Sequence, residues 1–354
     1  MMDAWFLREW QHNSPWQILL RPLSWLFAVL VLLRRALYRT GILKSERVRV
    51  PVIVVGNVTV GGTGKTPLVL EIAQSLGRAG WHCGILSRGY SRGGAGRELR
   101  RQMAAVIQVA PAAADPAVIG DEALLLANRS GVPVYISADR VAAARTLLKD
   151  HPAIDVLICD DGLQHYSLRR DLEICVIDVA RGFGNGALLP AGPLREPVTR
   201  LRQVDAIVIN AGSALAAQDL ASAAAGVPAF PMKLANESLV RVRDGRIMSI
   251  DAGLAEFSAK RMLAIAGTGN PARFFEHLAS LGFKAAGTVA FPDHHPFAAG
   301  DFLSRDADIF LMTEKDAVKC QAFADDRMWF MRVDAILPAT FGEFIANRLS
   351  KLKK

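Results

Sequence analysis

The chain has 354 residues, 51% of them hydrophobic, with 42 Lys+Arg against 34 Asp+Glu for a formal net charge of +8. That apolar content excludes a disordered chain, and the length predicts about two domains with sizeable cores. The charge is terminal: residues 1–50 hold eight basic residues against three acids, Lys351, Lys353 and Lys354 add +3, and residues 51–350 are neutral with 31 charges of each sign. A nucleic-acid-binding body would carry its basic patch inside the fold, so this distribution argues against a nucleic-acid partner. Cys83, Cys159, Cys175 and Cys320 form no C-x-x-C pair. They read as buried reduced thiols of a cytosolic protein, not as a disulfide or zinc framework.

The first element in chain order is apolar from Trp16 to Leu33, and its uncharged run Leu23–Leu33 stops at Arg34-Arg35. A helix of that uncharged run reaches about 16 Å, roughly half the ~30 Å hydrocarbon thickness, too short to span. Arg-Arg stands where a signal peptide needs a small-residue cleavage site, so secretion is not expected. Trp5, Trp10, Trp16 and Trp25 among arginines predict an interfacial helix within residues 1–45. It would attach the protein to an anionic membrane surface through apolar insertion and about 1 kcal/mol per basic residue. The plain alternative is a helix packed on the body.

After Arg49, β-branched runs alternate with Ala/Leu-rich stretches. Strands are expected at Val50–Val55, Cys83–Leu86, Val106–Val109, Val134–Ser137, Val156–Cys159, Ile174–Ile177 and Ala206–Ile209. Helices are expected at Pro67–Ala79, Asp121–Asn128, Ala138–Lys149 and the alanine-rich Ala214–Ala225. This alternation predicts an α/β fold over 46–235, a doubly wound, mainly parallel sheet. Asp244-Gly245, between Ser238–Arg243 and Arg246–Ile250, predicts a two-stranded hairpin as a linker over 236–250. Strands near Met262–Ala266, Ala285–Ala290, Ile309–Met312 and Met328–Val333, with a helix near Ala272–Leu281, make 251–354 a second, smaller α/β domain.

The glycine-rich turn after the first strand reads Thr59-Val60-Gly61-Gly62-Thr63-Gly64-Lys65-Thr66. It matches a P-loop in Gly64-Lys65-Thr66, with Thr59 where the usual pattern has glycine. Glycines let backbone N–H groups curl round phosphates, Lys65 reaches the outer phosphate oxygens, and the Thr66 hydroxyl suits Mg²⁺ at a positive helix end. A merely flexible turn is the bland reading. A P-loop also needs a metal carboxylate at the end of a neighbouring strand, and Val156–Cys159 ends in Asp160-Asp161. ATP or another nucleotide with Mg²⁺ is therefore expected, while the loop leaves the phosphate acceptor open.

Several segments together resemble the tetraacyldisaccharide 4′-kinase family of lipid A biosynthesis. They are the loop from Gly56 to Pro67, Leu86-Ser87-Arg88-Gly89-Tyr90, Gly120-Asp121-Glu122, Asp160-Asp161-Gly162-Leu163-Gln164-His165, Leu189 to Glu196, Phe291-Pro292-Asp293-His294-His295 and Thr313 to Lys319. The resemblance implies transfer of the ATP γ-phosphate to the 4′-hydroxyl of a tetraacylated glucosamine disaccharide 1-phosphate at the cytoplasmic face of the inner membrane. It implies two α/β domains with a two-stranded linker, ATP on the first domain and the glycolipid presented by the amino-terminal helix. No protein partner is implied. By position, Lys65 and Thr66 act on phosphates and metal, and Asp160 and Asp161 serve magnesium. Asp121 becomes the catalytic carboxylate and His294 its partner from the second domain.

Other roles compete at several of these positions. Asp121 also sits where a helix N-cap belongs, and His295 stands beside His294. Arg195 is a candidate for phosphate binding or transition-state charge, or for a surface salt bridge. Lys315 and Asp316 either resemble base-reading residues or belong to a solvated loop; the first reading keeps a membrane-peripheral P-loop GTPase or regulatory ATPase as the alternative function.

Overall fold

The computed structural model describes residues 9–10, 15–89, 105–110, 115–210, 224 and 226–352. The expectations for Trp5, Tyr90 and most of the Ala214–Ala225 helix lie outside these residues. A long helix α1 (Pro15–Arg39) precedes β1 (Val52–Gly56), α2 (Lys65–Arg78), β2 (Cys83–Ser87), β3 (Ile107–Gln108), α3 (Asp121–Ser130), β4 (Val134–Ile136) and α4 (Arg140–Asp150). Then come β5 (Val156–Asp160), β6 (Leu172–Asp178), β7 (Ala206–Asn210), the 13-residue β8 (Ala229–Arg241) and β9 (Ile247–Ser249). The elements that follow include α5 (Ile250–Phe257), β10 (Met262–Ala266), α6 (Pro271–Ser280), β11 (Gly287–Ala290), β12 (Ile309–Thr313), the single-turn α7 (Glu314–Ala317), β13 (Met328–Ile336) and α8 (Ala339–Leu352).

The expected doubly wound architecture is present. The path across the sheet is β11-β10-β12-β13-β8-β7-β6-β1-β5-β2-β4-β3, with β9 paired to β8 alone. From β8 to β4 every neighbouring pair is parallel, as are β11, β10, β12 and β13 among themselves. β1 sits at the centre of the first half, covered on both faces, so all five of its residues, VIVVG, are buried. Burial on both faces is why it reads as an unbroken apolar run instead of an alternating one. Separate apolar clusters fill the two faces, one under α2 and α3, the other under α4.

Asp244 and Gly245 do turn a hairpin, pairing β8 with β9. The two strands that pass between the halves, however, are β8 and β13, which are remote in sequence. β8 pairs in parallel with β7 through Ala229–Met232 and then in antiparallel with β13 from Lys233 to Arg241. β8 thus runs out beyond the carboxyl edge of the first sheet, and β13 runs back toward it. Strands β10–β12 are parallel to β13, so the carboxyl edges of both sheets face one cleft. α8 follows β13 back as well: Phe341, Ile345 and Leu349 are buried in the core under α2. These last residues group with 251–354 by sequence position, yet they pack on the first half.

α1 is built inside out. Its buried residues are Gln17 and Ser24, and Ser24 Oγ donates to the Leu188 carbonyl at 2.7 Å. Farther along, Arg35 bonds Gln203, and the Arg34 guanidinium lies 5.9 Å from the rings of both Tyr38 and Tyr166. The opposite side exposes Trp16, Ile18, Leu19, Leu23, Trp25, Leu26, Val29, Leu30, Leu32 and Leu33. Two expectations need correction. The helix has 25 residues and is long and apolar enough, by length and composition, to cross a membrane, because a helix continues through Arg21, Arg34 and Arg35, where counting uncharged residues stops. Trp10 faces the protein, its indole N–H donating to the Pro190 carbonyl at 3.0 Å.

Candidate active site at the facing sheet edges

The glycine-rich loop leaves the end of β1 and enters α2 at Lys65. Gly61 and Gly64 take φ of 97° and 91°, the left-handed region that only glycine enters without cost. A Cβ on Gly61 would lie 2.4 Å from Arg181 Nη1, and one on Gly64 2.9 Å from the Asn210 amide nitrogen. Side chains hold the loop's carbonyls: Asn57 donates to Gly61 O, Arg181 to Gly62 O, Asn210 to Thr63 O and Gln164 to Asn57 O, all between 3.1 and 3.3 Å. With its acceptors tied back, the loop presents donors at a helix start, the arrangement that binds phosphate. Thr59 and Val60 rest on a second loop, where Val60 N–H donates to Pro193 O at 2.8 Å and Arg195 N–H to Val58 O at 2.7 Å. Gly192 makes that brace possible, since a Cβ there would meet the Ala187 carbonyl oxygen at 2.3 Å.

Asp160 and Asp161 end β5 beside this loop. Asp161 has φ 47°, and its carboxylate meets Lys65 Nζ at 3.4 Å and Arg195 Nη1 at 3.0 Å. Burial alone would raise this carboxyl, but Lys65 and Arg195 hold it far below the ordinary range. Asp160 behaves oppositely: burial, with Glu122 and Asp161 adding repulsion, pushes it up to about 7 against Lys65 and Arg140. Ser87 Oγ donates to Asp160 Oδ2 at 3.2 Å, while buried Oδ1 has no hydrogen-bond partner among the described residues. An unpaired buried carboxylate oxygen is costly unless a cation completes it. With Thr66 half-buried on the first turn of α2, these residues fit a hard divalent ion. Burial and the charges of Arg140 and Arg88 push His165 down to about 3, so its ring is neutral.

The second cluster crosses the cleft. Asp121, 4% exposed, is the first residue of α3, and Gly120 takes the N-cap position with φ 88°. His294 reaches it from the loop after β11, with Nδ1 at 2.9 Å from Oδ2 and 3.1 Å from Oδ1. Lys315 and Lys319 stand 3.9 and 3.8 Å from Oδ2. Burial would raise the Asp121 carboxyl; the His294 hydrogen bond and the two lysines outweigh it and hold the group below its usual range. His295 turns away, to Asp301 at 3.2 Å. Asp316 is fully buried and internally committed, accepting from Gly267 N–H, Thr313 Oγ1 and Lys319 Nζ at 2.7 to 2.9 Å. That leaves it no base to read.

Sequence reasoning assigned no role to Ser87, Asn57, Asn210, Arg181 or Lys319. It also missed the pair of Arg273 with buried Asp178 at 2.6 Å, which joins the halves on the far flank of the loop. Asn57, Ser87 and Lys319 lie within the quoted segments, and a polar or charged residue at the carboxyl end of an apolar strand (Asn57, Ser87) or beside Asp316 (Lys319) was the available signal. For Asp178 the signal was an acid closing an apolar strand.

A glycine-rich loop entering a helix, an acid pair on the adjacent strand and a cleft at the carboxyl edge define a P-loop protein of the doubly wound α/β class. The family model described as tetraacyldisaccharide-1-P 4′-kinase matches residues 16–350. The chain belongs to that family. It is 45% identical over 350 residues to the tetraacyldisaccharide 4′-kinase of Methylobacillus flagellatus, covering 99% of this chain and 97% of that one. Against the enzyme of the same name from Herminiimonas arsenicoxydans it is 46% identical over 355 residues, covering 98% and 96%. A crystal structure described as the apo form of LpxK from Aquifex aeolicus in complex with ATP superposes with a TM-score of 0.75 at 29% identity, covering 94% of this chain and 99% of that one.

Proposed function

We propose that this chain is an ATP-dependent kinase that phosphorylates the 4′-hydroxyl of a tetraacylated glucosamine disaccharide 1-phosphate, working at the cytoplasmic face of a bacterial inner membrane. The observation that carries the reading is the pairing, across one cleft, of a phosphate loop on the first half with a buried Asp121–His294 pair completed by the second. The GTPase alternative loses its footing because Asp316 is spent inside its own half.

Loop residues Thr59 to Gly64 cradle the phosphates, with Lys65 and Thr66 at the reacting end. Mg²⁺, held by Thr66 and the Asp160–Asp161 pair, supplies charge neutralisation on the phosphate oxygens when bound. The unpartnered Asp160 oxygen favours that residue as the direct ligand. Asp161 fixes Lys65 and Arg195 where positive charge is needed, and Arg195 faces the developing transition-state charge. Asp121, kept anionic, accepts the hydrogen bond of the sugar hydroxyl and takes its proton as the bond to phosphorus forms. His294 orients it. Phosphoryl transfer is loose, so this base supplies only about 10²–10⁴-fold.

The test is transfer of label from γ-labelled ATP to a lipid A precursor by the pure protein. Asp121→Ala should lower kcat by roughly 10²–10⁴ while ATP affinity stays within about twofold. Near-normal turnover in that variant would remove Asp121 from the mechanism. Label released only as inorganic phosphate would restore the ATPase reading.

A further inference from the structure

The face of α3 that carries Asp121 also carries Glu122, Leu125 and Arg129, at the spacing that lines up one side of a helix. Two of its charges meet consecutive residues of α7 in the other half. Glu122 Oε1 lies 3.3 Å from Lys315 Nζ, and Arg129 Nη1 donates to Glu314 Oε2 at 2.7 Å. Arg129 also bonds Asp334, on β13 beside the bulge between Arg332 and Asp334. Its side chain is 9% exposed and that of Glu314 13%. The apolar side of α3, through Ala123, Leu124 and Leu126, belongs to the first half's core.

α7 is a firm anchor. The Thr313 hydroxyl caps it by accepting from Asp316 N–H at 3.2 Å, and Asp316 is bonded in turn to Gly267 at the end of β10. The second half therefore grips α3 at both ends, with opposite charges in opposite order.

We infer that Arg129 is a positioning residue for phosphate transfer: by pinning the far end of α3 to Glu314 and Asp334 it sets where the Asp121 carboxylate stands against His294. The inference rests on the kinase reading above. Arg129 and Asp121 are separated by about 12 Å of helix, at about 1.5 Å per residue. A tilt of about 5° about the pinned end then moves the carboxylate by about 1 Å, a displacement that costs on the order of 10²-fold in rate. None of these charges touches the phosphate loop, so ATP binding should not respond.

Steady-state kinetics of the full chain, with ATP and a lipid A precursor, test this. Arg129→Ala is expected to lower kcat roughly ten- to hundredfold with KM for ATP within about twofold, and Arg129→Lys to recover part of the loss. The decisive measurement is the double variant. In an Asp121→Ala background the Arg129→Ala change should have no further effect, because Arg129 acts only through that carboxylate. If Arg129→Ala does not fold, Glu314→Gln carries the same comparison. Unchanged kcat, an equal loss in the Asp121→Ala background, or a rise in KM for ATP matching the fall in kcat would each overturn the inference. Wild-type protein that transfers no label to lipid would instead bring down the kinase reading on which it stands.

Discussion

Adjacent carboxyls at the end of β5 are driven in opposite directions by what surrounds them. Asp161 is held low by Lys65 and Arg195, whereas Asp160 is buried and pushed up to about 7. A carboxyl raised in this way keeps its proton in the folded chain after the unfolded chain has lost it near pH 3.9. The ligand-free protein is therefore expected to lose stability as pH rises from about 4 to about 7 and to stay penalised above that. Asp160→Asn cannot ionise, so its melting temperature without ligands should exceed that of wild type at pH 8 and converge with it by about pH 4. If magnesium binds at this pair, nucleotide with magnesium should raise the melting temperature of wild type more than nucleotide alone, and the same variant should lack that difference. A variant less stable than wild type at pH 8 without ligands would contradict the assigned burial. The acid pair was legible in the sequence as a pair. Its division of labour was not, because Ser87, Arg140 and Arg195 reach it from other elements.

Among the elements, α1 departs furthest from the usual pattern. A helix on a soluble body normally turns its apolar stripe inward, but α1 faces Gln17 and Ser24 inward and presents Trp16 and Trp25 outward at 62% and 68% exposure. An exposed apolar face of this size needs a cover, and a lipid surface suits one flanked by Arg21 and Arg39. Removing roughly the first forty residues should release most of the protein from vesicles of anionic phospholipid. High salt should weaken full-length binding only in part, since screening touches the charges and not the apolar insertion. Vesicle binding that survives truncation would place the membrane contact elsewhere. Composition revealed the segment and its apolar character; the run of uncharged residues underestimated its length, because helical geometry tolerates arginines that a hydropathy count stops at.

Across the whole molecule, local patterns reveal the elements and hide their pairings. The glycine loop, the β5 acids and the Asp244-Gly245 turn could each be read from short stretches. That β13 would pair with β8, or that Asp121 would meet His294 across a separation of 173 residues, depends on burial partners that no local window contains; only the family resemblance supplied the second. α8 belongs to the same class. Phe341, Ile345 and Leu349 complete the core beneath α2, and burying such side chains contributes roughly 1.5–3 kcal/mol each. Ending the chain at Pro338 should therefore cost about 5 kcal/mol or more, a large share of a typical domain's stability. Proteolysis of that variant should degrade the phosphate-loop half first. Unaltered thermal unfolding would show that α8 is dispensable there. Domains commonly fold in order as they leave the ribosome. This one closes its first core with α8, a helix that follows the whole second half in sequence, so the nucleotide-binding half must wait, partly open, until that helix has been made.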